Sequence, residues 1–151
     1  MSSASGPPAV LGIDHVQITV PRGREDAARW FYCDVLAMRE VPKPQSLAAR
    51  GGFWVAPGDG PLVHVGVEDG VNRAATKAHV AYAVRNLRGW KQRLEQHGIR
   101  PLESVAIPGF DRFEFRDPFD NRVEMIEPVA EAPGASASAP AGAVRKGFPV
   151  R

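Results

Sequence analysis

The sequence predicts an α+β fold: two tandem βαβββ modules forming a curved mixed sheet around a cavity. Three observations carry this. The first is the stretch Ala78-His79-Val80-Ala81-Tyr82-Ala83-Val84, whose alternation reads as a strand with Val80, Tyr82 and Val84 on one face and His79, Ala81 and Ala83 on the other. The second is that this strand repeats an earlier one. Asp14-His15-Val16-Gln17-Ile18-Thr19-Val20 shares the pattern His-Val-x-x-x-Val, 64 residues before it. The third is a second pair of matched segments. Phe53 stands 11 residues before His64, and Phe113 stands 11 residues before Glu124. Turn residues separate the members of each pair: Pro57-Gly58-Asp59-Gly60-Pro61 in one, Asp117-Pro118-Phe119-Asp120-Asn121 in the other. Self-similarity at such a period points to a duplicated, pseudo-symmetric domain.

Taken in order, residues 1–9 are Ser, Ala, Gly and Pro without pattern and read as a disordered segment. The domain spans 10–129, with modules at about 10–68 and 78–129. Val10 to Val20 is the first strand, and Pro21-Arg22-Gly23 turns the chain. Glu25 to Ala37 reads as a helix with Ala28, Phe31, Val35 and Leu36 on one stripe. Glu25 and Asp26 favour its positive N-terminal end. Arg39 to Val41 is a short strand, stopped by Pro42-Lys43-Pro44. Phe53 to Ala56 and Pro61 to Glu68 read as a hairpin. Asp69 to Thr76 links the modules.

In the second module Asn86 caps a helix carrying Leu87, Trp90 and Leu94 on one face, and Gly98 stops it. Arg100 to Val105, Arg112 to Arg116 and Arg122 to Glu127 complete the strands. Residues 130–151 are rich in Ala, Pro, Gly and Ser and cannot bury enough apolar surface to offset ordering entropy.

The composition excludes several classes. The net charge of +2, from scattered Arg, gives no basic block for nucleic acid, and no apolar run approaches a membrane span. The single cysteine, Cys33, forbids an internal disulfide and fits a reducing, cytoplasmic setting.

Strand parity singles out the candidate site. His15 shares a face with Gln17 and Thr19; His64 with Gly66 and Glu68; His79 with Ala81 and Ala83. Glu124 is flanked by Val123 and Met125. In each strand the ligand-type residue lies opposite an apolar face that can pack on helices. All four can therefore face one helix-free, concave side. Imidazoles and a carboxylate there form a normal shell for Zn, Ni, Fe, Mn or Co. A single such His is more often a hydrogen-bonded structural residue; four at matched positions favour a metal. His97, in the last turn of a helix beside Gly98, reads as structural.

The repeat, with these four positions and the segments Leu62-Val63-His64-Val65-Gly66-Val67-Glu68 and Asp117-Pro118-Phe119-Asp120-Asn121-Arg122-Val123-Glu124, resembles the vicinal oxygen chelate superfamily. That group includes glyoxalase I, methylmalonyl-CoA epimerase, fosfomycin-resistance thiol transferases, extradiol dioxygenases and bleomycin-binding proteins. The resemblance covers about residues 10–129 and is nearest to small glyoxalase-like members. It implies metal ligands at His15, His64, His79 and Glu124, one divalent ion, and an enzyme of lyase, isomerase or dioxygenase type. It also implies a homodimer, with sites built within one chain or across two. Glu124 is the candidate catalytic base. Arg50, Trp54, Arg73, Lys77 and Arg112 are candidate pocket-wall residues for a small anionic substrate.

Departures from the family pattern limit the reaction type. Glyoxalase I usually carries a carboxylate where this chain has His64. Fosfomycin transferases commonly have Thr where Gln17 stands. Asp120 replaces the more usual Gly of the Asp-Pro-Phe-Gly-Asn turn, where positive φ is easier for Gly. The competing class is a metal-free module that sequesters drugs, as the bleomycin-binding members do. Those lack the ligand set and present an acidic, aromatic groove.

Overall fold

The computed structural model describes residues 6–129. The expected disorder of residues 1–5 and 130–151 lies outside the described residues. The first module runs β1 (His15–Val20), α1 (Glu25–Arg29), β2 (Arg39–Val41), β3 (Phe53–Ala56) and β4 (Leu62–Val67). The second runs β5 (His79–Ala83), α2 (Leu87–Gln96), β6 (Leu102–Glu103), β7 (Phe110–Arg116) and β8 (Arg122–Pro128). This is the tandem βαβββ arrangement. The strands form two four-stranded mixed sheets, ordered β1-β4-β3-β2 and β5-β8-β7-β6.

The register reproduces the sequence repeat residue by residue. Gln17 pairs with His64 in the first sheet, and Ala81 with Glu124 in the second. Phe53 pairs with Val65, and Phe113 with Met125. Each outer pair, β1–β4 and β5–β8, is parallel, so a helical crossover is required between its strands.

Three elements differ from the sequence reading, each for a local reason. The first strand begins at His15, not Val10. Leu62 donates its N–H to Asp14 O, but Pro61 has no N–H and the Pro57–Gly60 turn leads away, so Val10 and Leu11 have no ladder partner and stay exposed. The first helix widens after Arg29 into a π-helical stretch, Trp30–Val35, in which Leu36 N–H reaches Phe31 O at 2.9 Å. It ends where Ala37 turns left-handed, φ +55°. The strand expected at 100–105 is only Leu102–Glu103.

The second helix follows its sequence signals closely. Asn86 Oδ1 accepts from Gly89 N–H at 3.0 Å, and Gly98 takes φ +74° at the end. Glu127 adds a carboxylate to the N-terminus, accepting from Asn86 and Leu87 N–H at 2.7 and 2.9 Å.

The π-helical widening lets adjacent Phe31 and Tyr32 both be fully buried. Phe31 packs edge-on against Phe115 of the second module, centroids 6.3 Å apart. The helix-covered faces of the modules thus share one core, in which Phe53, Val63, Val65, Phe113, Val123 and Met125 are buried from the sheet side. Burying side chains of this size contributes about 1.5–3 kcal/mol each. Polar ties reinforce the junction. Arg93 of α2 donates to the carbonyls of Val35 and Asp34, and Asn121 Nδ2 donates to Thr19 O. Because the covered faces meet each other, the opposite faces, which carry the ligand-type residues, are left open.

Candidate metal centre

Each module presents a half-site on its open sheet face. In the first, His64, Trp54 and Gln17 lie side by side across β4, β3 and β1, since His64 is the cross-strand partner of both others. The His64 ring stacks on the Trp54 indole at 4.9 Å and 11°, and His15 lies tilted against the same indole at 4.9 Å. Asp14 Oδ1 lies 2.7 Å from His15 Nδ1 and fixes the ring by accepting its proton, which leaves Nε2 as the free donor atom. Gly66 makes room for Gln17, whose amide would collide with a Cβ at that position. These residues line a cavity of about 440 Å³ with Lys43, Pro44, Leu47 and Arg50. Burial is the main cause that lowers the pKa of His64, and the charges of Lys43 and His15 act in the same sense, so it stands as a neutral imidazole, the form that ligates.

The second half-site is a closed polar network. His79 Nδ1 contacts Lys77 O at 2.8 Å, and its Nε2 lies 3.0 Å from Glu124 Oε2. Arg112 Nε donates to Glu124 Oε1 at 2.7 Å, its Nη2 to Glu114 Oε1 at 2.9 Å and its Nη1 to Val105 O at 2.7 Å. Arg122 Nε donates to the other oxygen, Glu114 Oε2, at 2.5 Å. The Arg112 bond is the chief reason the Glu124 carboxyl sits below its ordinary pKa, against an opposing effect of burial. His79, Glu114 and Glu124 can bring one ligand atom each within 4.8 Å of one another.

Of these, His79 and Glu124 form a donor pair that fits a divalent ion, while both oxygens of Glu114 are held by arginines. A carbonyl can only accept, so His79 Nδ1 carries the proton. Nε2 then lies against Glu124 Oε2 at 3.0 Å, a contact that either a proton on Nε2 or a cation held by both atoms completes, and that spacing suits neighbouring ligands on an ion with bonds of about 2.1 Å.

The four expected ligands divide in two. His15 and His64 share the first cavity, while His79 and Glu124 are in contact in the second module. Among the described residues, no group of three or more metal-ligating side chains within 4.8 Å includes His15 or His64. Of the expected pocket-wall residues, Arg50 and Trp54 line the first cavity. Arg112 lies in the Glu124 network. Arg73 is buried elsewhere, donating to Thr19 O at 2.7 Å and Glu68 O at 2.5 Å, so its guanidinium braces the linker against β1. Lys77 is exposed and serves His79 through its carbonyl. His97 lies edge-on to Trp30 at 5.7 Å, away from both half-sites.

The sequence reading missed Glu114, Arg122 and Lys43. A signal existed for Glu114: in Arg112-Phe113-Glu114-Phe115-Arg116 the two Phe must face the core, which puts Glu114 on the ligand face.

Comparisons with known proteins follow the same lines. The family model of the Glyoxalase/Bleomycin resistance protein/Dioxygenase superfamily matches residues 12–125. A glyoxalase family protein from Bacillus anthracis is 40% identical, with TM-score 0.74, covering 82% of this chain and 100% of its own. The fosfomycin resistance protein FosX from Listeria monocytogenes, in complex with Mn(II) and sulfate, is 15% identical with TM-score 0.63, covering 82% and 94%. TnmS3, an antibiotic binding protein from Streptomyces sp. CB03234, is 16% identical with TM-score 0.63, covering 82% and 100%. The last two share the fold. No curated protein matches the sequence.

Proposed function

The chain belongs to the Glyoxalase/Bleomycin resistance protein/Dioxygenase superfamily, and from that premise we propose that it is a metal-dependent enzyme of lyase, isomerase or dioxygenase type. Its substrate is a small anion with two neighbouring oxygens. The observation that carries this reading is the His79–Glu124 pair, an imidazole nitrogen and a carboxylate oxygen 3.0 Å apart on the sheet face opposite the core, with Glu114 beside them. His15, His64, His79 and Glu124 would hold one divalent ion. When bound, such an ion supplies Lewis-acid stabilisation of a developing oxyanion.

The chain's own groups do the rest. With three neutral imidazoles and one carboxylate, the centre keeps a net charge of +1, which favours an anionic ligand. Lys43 and Arg50 line the first cavity and offer cations to the anion's far end. Trp54 forms a flat apolar wall beside His15 and His64. Glu124 is the candidate base, in a step that requires Oε2 to leave the ion, because Oε1 is held by Arg112. Its bond to Arg112 makes it a weak base, so the proton must come from a strongly acidified carbon or hydroxyl.

The two half-sites complete each other across a homodimer in this reading, the first module of one chain facing the second module of its partner. Support comes from geometry within the chain: His15 and His64 line one cavity, His79 and Glu124 are in contact in the other module, and among the described residues no group of three or more metal-ligating side chains within 4.8 Å includes His15 or His64.

A second reading, metal-free sequestration of a small molecule, draws on the apolar cavity of about 590 Å³ between the modules, lined by Val16, Met38, Val63, Tyr82, Trp90 and Met125 among others. Titration of metal-stripped full-length protein with Mn(II) separates the two. The enzyme reading expects one ion per chain, with affinity falling at least about tenfold in His79→Ala and Glu124→Gln. Absence of saturable binding overturns it.

A further inference from the structure

The second half-site holds one more carboxylate than the proposed ligand set uses. Glu114 is buried and is the direct cross-strand partner of Glu124, with both side chains on the open face. Two like charges so placed repel. They are also a hazard for the chemistry, because a second carboxylate on the ion would cancel the net positive charge that polarises a substrate. The arrangement of the two arginines answers both problems. Arg112 Nη2 holds Glu114 Oε1 and Arg122 Nε holds Glu114 Oε2, so both oxygens of Glu114 are engaged. Arg112 Nε at the same time holds Glu124 Oε1, so that only Oε2 is left facing His79. Arg112 itself is fixed, since its third nitrogen donates to Val105 O and its side chain is only 12% exposed.

We propose that Arg112 is a positioning residue that limits coordination: it restricts Glu124 to one ligating oxygen and, with Arg122, keeps Glu114 off the ion. This rests on the metal-dependent reading above. It gives Arg112 a task different from binding substrate, and it explains why an arginine is needed. A guanidinium is a planar fork that bonds two carboxylates at once, which the single ammonium of lysine does not match. The consequence is a centre with open positions for a chelating substrate.

The experiment uses full-length protein loaded with Mn(II), comparing wild type, Arg112→Met, Arg112→Lys and Glu114→Gln. Water-proton relaxation gives the number of waters on the bound ion, titration gives its affinity, and thermal melting of the metal-free forms shows which variants are folded. Arg112→Met should lose about one bound water, as a freed carboxylate oxygen takes its place on the ion. Arg112→Lys should show the same loss, which keeps the test alive if the Met variant does not fold. Glu114→Gln should keep the wild-type water number, because Glu114 is not a ligand.

A wild-type water number in folded Arg112→Met and Arg112→Lys overturns the inference. So does a folded Arg112→Met that binds no Mn(II), or a Glu114→Gln that gains a water. Wild-type protein that fails to bind Mn(II) overturns the metal-dependent reading itself, and this inference with it.

Discussion

Tyr32 Oη donates to Asp117 Oδ2 at 2.6 Å across 85 positions of sequence, and this buried bond fastens the first module's helix to the turn that precedes Glu124. The other acceptor positions of Asp117 are filled by Phe119 N–H, Asn121 N–H and Asn121 Nδ2. Burial nevertheless dominates and raises the Asp117 pKa. Tyr32→Phe leaves a buried carboxylate short of one donor. It should cost about 1–3 kcal/mol by denaturant unfolding.

The same pair sets a pH dependence. A folded-state pKa above the unfolded value of 3.8 means that the native state holds the Asp117 proton more tightly. This group's contribution is therefore full below the unfolded pKa and is lost as pH rises through the folded one. The Tyr32 bond opposes that rise, because it favours the ionised form. The cost of Tyr32→Phe should accordingly be larger at pH 7 than near pH 4. An equal cost at both would show that the hydroxyl does not favour the carboxylate.

Three non-glycine residues sit in left-handed backbone, Ala37 at φ +55°, Asn86 at φ +60° and Asp120 at φ +70°, and Asn86 is held there as the cap of α2. Alanine gains nothing local there, whereas Asp tolerates the region better. Ala37→Gly should stabilise the protein by about 0.5–1 kcal/mol, after allowing for the greater freedom of Gly in the unfolded chain. Asp120→Gly should gain less. Thermal melting of the two single variants ranks them, and a lower melting temperature for Ala37→Gly would contradict the assignment of strain there.

Gly52 is the opposite case. It lies at φ +78°, and a Cβ would overlap the Val65 carbonyl oxygen on the neighbouring strand. Gly52→Ala should destabilise by at least about 2 kcal/mol, through backbone conformation and close approach together. It should also disturb the β3–β4 register that sets Trp54 beside His64. The check is unfolding free energy together with Trp fluorescence.

Much of this was legible in the sequence because duplication writes the same parity twice. The two offsets visible in the residues alone map Gln17 onto Ala81 and His64 onto Glu124, and the structure pairs both sets alike; the pairing itself is read from the fold. The cap at Asn86 and the stop at Gly98 were legible because both act within one turn of helix. What was not legible depends on contacts far apart in sequence. The π-helical stretch at Trp30–Val35 accommodates Phe115 and Asp117, residues more than 80 positions away. Arg73 and Arg112 are both Arg in polar surroundings. Only the fold turns one into a brace for the linker and the other into a fork between two carboxylates. The division of the four ligand-type residues into two half-sites depends on which sheet faces pack together, and strand parity alone does not say.

Refolding a mixture of two defective chains tests whether the metal centre is shared between chains. Full-length His15→Ala and His79→Ala proteins are unfolded, refolded together and titrated with Mn(II). In a mixed dimer, the first module of the His79→Ala chain faces the second module of the His15→Ala chain, and that site has all four ligands. With statistical pairing half the dimers are mixed and one of two sites in each is whole, so about a quarter of the wild-type tight sites should return. Neither chain refolded alone should show any. No recovery in the mixture, or a monomer by sedimentation at micromolar concentration, would contradict the account.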